Sequence, residues 1–211
     1  MTTTLHDYWR SSAAYRVRIA LGLLGIEWQD VPVDLTKGEQ RAPAHLALNP
    51  QGLVPVLEID GLSLTQSLAI VEYLDETRSA GFLPADAPGR ARVRALAYAV
   101  AMEIHPVCNL RVARQAVEAS AGVLTMEAWM QAFIGPGLVA VEAMLDSPAT
   151  GRFCHGDTPG LADICLVPQL YNADRWGVSL EAMPRIRALR AALDALPAVA
   201  AAHPDCHAPA G

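Results

Sequence analysis

At 211 residues the chain can form one large domain or two small ones, and with 52% hydrophobic residues it has ample apolar mass for a core, which argues against disorder. A formal charge of −6 with no dense basic run argues against nucleic acid as a partner. The uncharged stretch Ala128 to Val141 is interrupted by Gln131, Gly135 and Pro136 and is shorter than the ~20 residues of a membrane span, and no signal pattern opens the chain, so the expected place is the cytoplasm.

The first element is a short apolar run, Leu5 to Tyr8, which reads as a strand. Ser11 or Ser12 then stands where a helix N-cap belongs, Val17, Ala20, Leu21 and Leu24 follow on one helical face, and Gly25 closes the helix. Trp28 to Val33 reads as a second strand. After the polar segment Asp34 to Arg41, a short helical pattern over Ala42 to Leu48 is stopped by Asn49 and Pro50. Val54 to Ile59 and Leu62 to Leu64 form a hairpin about Asp60-Gly61. Gln66 and Ser67 then open an amphipathic helix carrying Leu68, Val71, Leu74 and Asp75. This order implies a parallel crossover pair and a hairpin in one small sheet.

Ser79 to Gly89, with Gly81, Pro84 and Pro88, has no regular period and reads as a linker. Beyond it only helical patterns occur: Arg90 to about Gln115, Met126 to Leu145, Leu161 to Trp176, Pro184 to Leu196, and a last turn from Pro197. Residues 1–80 are therefore expected to form an α/β domain and residues 89–211 an all-helical one, with a frayed tail from Cys206 to Gly211.

Three places carry candidate chemistry. A strand feeding a helix start with hydroxyls and free amides is a ready anion site, and a charge-assisted hydrogen bond there contributes about 1.5–3 kcal/mol. Simple capping by Ser11 or Ser12 is the plain alternative. Val54-Pro55 stands before a strand: a cis bond would turn the preceding backbone groups outward for a peptide ligand, whereas a trans proline merely begins the strand. Gln66-Ser67 marks a second helix start, suited either to a carboxylate or only to capping. The four cysteines (Cys108, Cys154, Cys165, Cys206) have no metal-type spacing, so no metal site and no structural disulfide are expected.

Together these features resemble the thioredoxin-like N-terminal domain of glutathione transferases followed by their helical domain. The wording R-S-S-A-A-Y-R-V-R-I-A-L, N-P-Q-G-L-V-P-V-L and Q-S-L-A-I-V-E-Y-L, with H-P-V-C-N-L-R (His105 to Arg111) and G-D-T-P-G-L-A-D (Gly156 to Asp163), is similar to the zeta class, the family of maleylacetoacetate isomerase. The resemblance implies a homodimer that uses glutathione as cofactor on a small dicarboxylate keto acid. The thiolate adds to the cis double bond, rotation follows, and elimination returns the trans product.

It also implies residue roles. Ser11, with Ser12 beside it, stabilises the glutathione thiolate. Val54 pairs through its backbone with the cysteinyl part, Pro55 is cis, Gln66 and Ser67 hold the γ-glutamyl carboxylate, and Gln51 and His105 lie near the other end of the peptide. Read from the residues themselves, Arg10, Arg111 and Arg175, with Asn109, are candidates for the substrate carboxylates, because a planar guanidinium holds a carboxylate bidentately, and a solvated surface arginine is the plain alternative for each; Arg16 and Arg18, in later turns of the first helix, read as structural ion-pair partners. Asp163 belongs to a helix capping box. Two residues depart from the family: Ala13 stands where a cysteine is common, so the sulfur comes with the cofactor, and Gly160 stands where the box begins with Ser or Thr. Maleylpyruvate isomerase, a transferase or dehalogenase acting on α-halo acids, and a non-catalytic glutathione-fold protein are the competing expectations.

Overall fold

The computed structural model describes residues 2–209. The chain divides into two compact units, one running over Met1–Gly81 and Leu196–Gly211, the other over Phe82–Ala195. The first unit is built on a four-stranded sheet, β1 (Thr4–Asp7), β2 (Gln29–Pro32), β3 (Val56–Ile59) and β4 (Leu62–Thr65), in the order β2-β1-β3-β4. β1 runs parallel to β2 and antiparallel to β3, and β3 antiparallel to β4. Pro32 is tolerated because β2 is an edge strand. The hairpin turn has φ of 54° at Asp60 and 80° at Gly61, the positive pair of a type I′ turn. Tyr73 and Arg78 both donate to Asp60 Oδ2, at 2.7 and 2.5 Å.

Between β1 and β2 lies α1 (Ser12–Leu23), capped by Ser11. It ends in a Schellman motif, with Ile26 N–H donating to Leu21 O, Gly25 N–H to Gly22 O, and φ of +64° at Gly25. The apolar face expected of this helix is too narrow, since every residue from Ala14 to Leu21 is buried, Arg16 and Arg18 included. The cause is a neighbour on each flank: α3 (Ser67–Arg78) packs on one side and α10 (Pro197–Ala201) on the other. On α3 the buried residues are Ser67, Ile70, Val71 and Leu74, so Ile70 rather than Leu68 faces the core. The short α2 (Pro43–Leu48) ends at Asn49, as its Asn-Pro stop predicts.

The segment after Leu196, expected with the helical domain, thus lies in the first unit. A Cβ added at Gly22 would meet Ala198 Cβ at 3.3 Å, so α10 runs against the α1 backbone. Cys206 and His207 are not frayed: they end a 3-10 turn over Pro204–His207, and His207 Nδ1 lies 3.0 Å from Asp30 Oδ2. The last two residues of the expected frayed tail fall outside the described ones.

The second unit is helical. α4 (Ala87–Tyr98) starts inside the expected linker because Asp86 accepts from Gly89 N at 2.7 Å and Pro88 fits a first turn. The single helix expected over 90–115 is broken. α4 passes into a π-helical stretch over Ala99–Ile104 and one turn, α5 (His105–Val107), before α6 (Leu110–Ala119) restarts. Asn109 causes the restart, its Oδ1 accepting from Arg111 N at 3.0 Å. α7 (Met126–Met144) crosses the π-helical stretch at Gly137, where a Cβ would lie 2.5 Å from Ile104 Cγ1. α8 (Leu161–Arg175) forms the buried centre of the unit, with α9 (Pro184–Asp194) beside it. The buried Glu142 on α7 accepts from Arg185 N at 3.0 Å and Ile186 N at 2.9 Å, which supplies the cap that Met183 does not provide to α9.

Candidate active site

The strand registers gather the sequence-predicted residues of the first unit. His6 faces Val56 across β1 and β3, and Val56 faces Thr65 across β3 and β4. The chain leaving β1 (Tyr8 to Ser11), the chain entering β3 (Val54-Pro55) and the chain leaving β4 (Gln66-Ser67) therefore emerge at one end of the sheet.

Ser11, not Ser12, is the N-cap. Its N–H donates to Tyr8 O at 2.7 Å and its Oγ accepts from Ala14 N at 3.2 Å, so the hydroxyl hydrogen remains available to a ligand. Ser12 is the first helical residue, and the amides of Ser12 and Ala13 belong to the first turn, where no carbonyl precedes them in the helix. Arg10 is half-buried. Its Cζ lies 4.4 Å from the Trp9 ring centroid and its Nη2 donates to the Tyr8 hydroxyl at 3.3 Å. Its Nε is buried and finds no hydrogen-bond partner among the described residues.

The Val54-Pro55 bond is cis. The preceding loop is held by two buried residues absent from the expected site. Leu53 O accepts from His45 Nε2 at 2.9 Å and from Asn49 Nδ2 at 2.8 Å, while Asn49 Oδ1 accepts from Gln51 N at 3.1 Å. The Asn-Pro pair reads in sequence as a helix stop; the side-chain turn that asparagine makes two residues on is the signal that could have marked it.

Gln66 and Ser67 do not act as ordinary caps. Gln66 precedes α3 with no side-chain bond to the helix and with φ of +68°, the left-handed side for a non-glycine residue, which costs on the order of 1–3 kcal/mol. Its Nε2 donates instead to Gln51 Oε1 at 2.7 Å, so the two exposed glutamines face each other. Ser67 is buried and its Oγ accepts from Arg16 Nη1 at 3.3 Å, which places a buried guanidinium behind this helix start.

The remaining site residues lie in the second unit. His105 opens α5 and is half-buried. Asn109 uses its side-chain oxygen as the α6 cap. Arg111 is exposed in the first turn of α6, and Arg175 ends α8, exposed, with its Cζ 5.1 Å from the Trp176 ring centroid. Burial pushes the Cys108 thiol up to about 11 and the Cys154 thiol well above its ordinary value, so neither is a thiolate near neutral pH.

Residues 1–76 match the family model for the glutathione S-transferase N-terminal domain. Over 96% of its length the chain is 62% identical to maleylacetoacetate isomerase of Rhizobium meliloti (strain 1021), of which 96% is covered. The chain belongs to the zeta-class glutathione transferase and maleylacetoacetate isomerase family. Among solved structures similar to this member of the class is the holo form of a bacterial zeta-class maleylpyruvate isomerase, 42% identical with a TM-score of 0.93, covering 99% of this chain and 100% of that one. Another is maleylacetoacetate isomerase of Anaeromyxobacter dehalogenans 2CP-1 with glutathione in its active site, 46% identical with a TM-score of 0.87, covering 99% and 97%.

The zeta-class capping box is half present. Asp163 Oδ2 accepts from Gly160 N at 2.9 Å and its Oδ1 from Cys154 N at 2.9 Å, and burial raises its carboxyl above the usual range. Gly160 has no side chain to complete the box, and a Cβ there would stand 2.7 Å from Phe82 O. With the Phe82 carbonyl where it stands, the position has no room for the side chain of Ser or Thr.

Proposed function

We propose that this protein catalyses the glutathione-dependent cis–trans isomerisation of maleylacetoacetate to fumarylacetoacetate. The observation that carries the reading is the Ser11 helix start. A hydroxyl with an undonated hydrogen stands at the positive end of α1, and the α1 start carries no cysteine, since none precedes Cys108 in the sequence. That donor set fits a sulfur anion brought by a cofactor. The strained, non-capping Gln66, backed by Ser67 and the Arg16 guanidinium, fits a carboxylate, and the chain entering β3 at Val54 offers backbone groups to a peptide. Glutathione fits this combination of thiol, peptide and γ-glutamyl carboxylate.

When bound, glutathione supplies a sulfur nucleophile whose reversible addition lets the cis double bond become trans. The chain's residues prepare that chemistry. Ser11 donates to the thiolate and lowers its pKa, with the α1 dipole adding in the same direction and Ser12 beside it. Gln66 and Ser67 hold the γ-glutamyl carboxylate, Val54 and Pro55 the cysteinyl backbone, and Gln51 and His105 the other end. Arg10, held by Trp9 and Tyr8, neutralises charge building on the substrate's carbonyl side, and Arg111 and Arg175 take the carboxylates, for which the planar guanidinium is suited, with Asn109 nearby in sequence. The protein acts as a homodimer in the cytoplasm.

Maleylpyruvate isomerisation is the second reading, favoured by the likeness to the holo maleylpyruvate isomerase. The deciding experiment offers protein and glutathione to each cis acid and follows the trans product. Turnover of maleylacetoacetate with the higher kcat/KM supports the main reading, and a higher value for maleylpyruvate supports the second. Turnover of neither, with glutathione consumed by an α-halo acid, assigns the protein to transferase chemistry.

A further inference from the structure

Arg18 is a charged residue that the proposed chemistry does not use, yet its side chain is wholly buried. Its guanidinium serves three elements at once. Nη1 pairs with Asp7 Oδ2 at the end of β1, Nη2 donates to Trp9 O at 3.0 Å, and Nε donates to Ala202 O at 3.0 Å. The Tyr15 ring lies 5.3 Å from its Cζ, and the same ring meets His203 edge-on at 6.3 Å. Trp9 is the residue before Arg10 and stands two before Ser11. Its carbonyl belongs to the same peptide plane as the Arg10 amide, so the bond to Arg18 fixes the direction in which the Arg10–Ser11 turn leaves β1. Ala202 follows α10, which lies against the α1 backbone at Gly22 and Ala198.

We propose that Arg18 is a positioning residue for the Arg10–Ser11 turn, and that it ties the thiolate-binding geometry to the docking of the C-terminal segment α10. The fork shape of the side chain is what the role needs. A carboxylate, a loop carbonyl and a tail carbonyl are satisfied in three directions by one rigid plane, which an ammonium cannot reproduce. Lifting α10 removes one acceptor from a buried cation, and the guanidinium then shifts towards solvent or water enters beside it. Either event loosens its hold on Trp9 O. Displacement of a segment far along the chain is thereby read at Ser11.

The proposal rests on the glutathione-activating role of Ser11, and the experiment separates the two. The pKa of the bound glutathione thiol is read by ultraviolet titration of the complexes of wild type, Ser11→Ala, Arg18→Lys and Gly22→Leu, with the melting temperature of each. Arg18→Lys keeps the charge but not the fork. Gly22→Leu changes no residue of the site but crowds Ala198 and wedges α10 off α1, so it still tests the proposal if Arg18→Lys fails to fold. The expected result is a thiol pKa raised by about half a unit or more in Arg18→Lys and Gly22→Leu, in the same direction as Ser11→Ala. If Ser11→Ala raises the pKa while the other two lower only the melting temperature, Arg18 is structural and the proposal is overturned alone. If Ser11→Ala leaves the pKa unmoved, both readings fall.

Discussion

Replacing Ser11 by alanine removes two interactions of different size that can be measured separately. The first is the cap on Ala14 N, which at 3.2 Å is at the long end for an N–H···O bond. Its loss costs about 0.5–1 kcal/mol, near the lower end for a serine cap, and lowers the melting temperature by roughly 1–4 °C. The second is the hydrogen bond to the cofactor thiolate, worth about 1.5–3 kcal/mol, or roughly one to two pKa units. A bound thiol titrating near ~7 then returns to about 8–8.5, and the thiolate present at pH 7 falls by roughly 5–15-fold. The sign follows from which form is favoured: wild type holds the deprotonated thiol, so its advantage is largest below the free thiol's pKa and vanishes as pH rises above it. Isomerase kcat/KM should therefore drop by about that factor at pH 7 and recover most of it near pH 9. Thiolate absorbance and rate, followed together across pH, test this. A rate loss of equal size at both pH values, or an unmoved absorbance midpoint, refutes the hydrogen bond and leaves Ser11 as a cap alone.

For the arginines, methionine substitution at Arg111 or Arg175 should raise KM for the dicarboxylate substrate by about tenfold, the effect of ~1.4 kcal/mol, whereas at Arg10 it should lower kcat by about that factor with KM little changed; glutathione affinity by calorimetry should change less than about twofold in all three. At Asp163, alanine leaves the buried N–H of Cys154 and the half-buried N–H of Gly160 unpaired and should cost about 1–4 kcal/mol in denaturant unfolding, while Gly160→Ser should give no gain despite its better capping chemistry, because its Cβ meets Phe82 O at 2.7 Å. Among the thiols, only exposed Cys206 should react rapidly with a disulfide reagent at pH 8, since Cys108, Cys154 and Cys165 are buried. Alkylation at Cys206 should leave turnover unchanged, because the reacting sulfur is the cofactor's; loss of turnover with the bound glutathione thiol pKa unmoved would point to a protein thiol, whereas loss with a raised pKa would point to displacement of α10, which Cys206 touches at Ala200 O.

What the sequence could express depended on how local the cause was. The strand–helix–strand order, the Asp60-Gly61 turn and the Gly25 terminus were legible because each rests on a few adjacent residues with a strong conformational preference. Arg18 was legible as an ion-pair partner but not as the hub it is, since two of its acceptors are backbone carbonyls, which carry no sequence signature, and one of them lies 184 positions away. The same reasoning covers the tail. Pro197 marked a new helical turn, but nothing local says that the turn packs on α1, because that placement depends on Gly22 leaving room for Ala198. The break near Asn109 was missed for a different reason: the alanine-rich pattern on either side hid the poor helix formers His105 to Asn109, with Pro106 among them, and the Asn109 side-chain oxygen bonding one amide then restarts the helix. At the candidate site, the residue types were readable and their states were not. Gln66 looks in sequence like any helix opener, and only its φ of +68° with its side chain turned to Gln51 separates a residue held for a ligand from a cap. Positive φ alone does not mark a site, since exposed Ser79 and Ala121 share it where the chain leaves a helix; what sets Gln66 apart is that it stands at a helix start without capping it and turns its side chain to Gln51, which suits the carboxylate-holding role proposed for it.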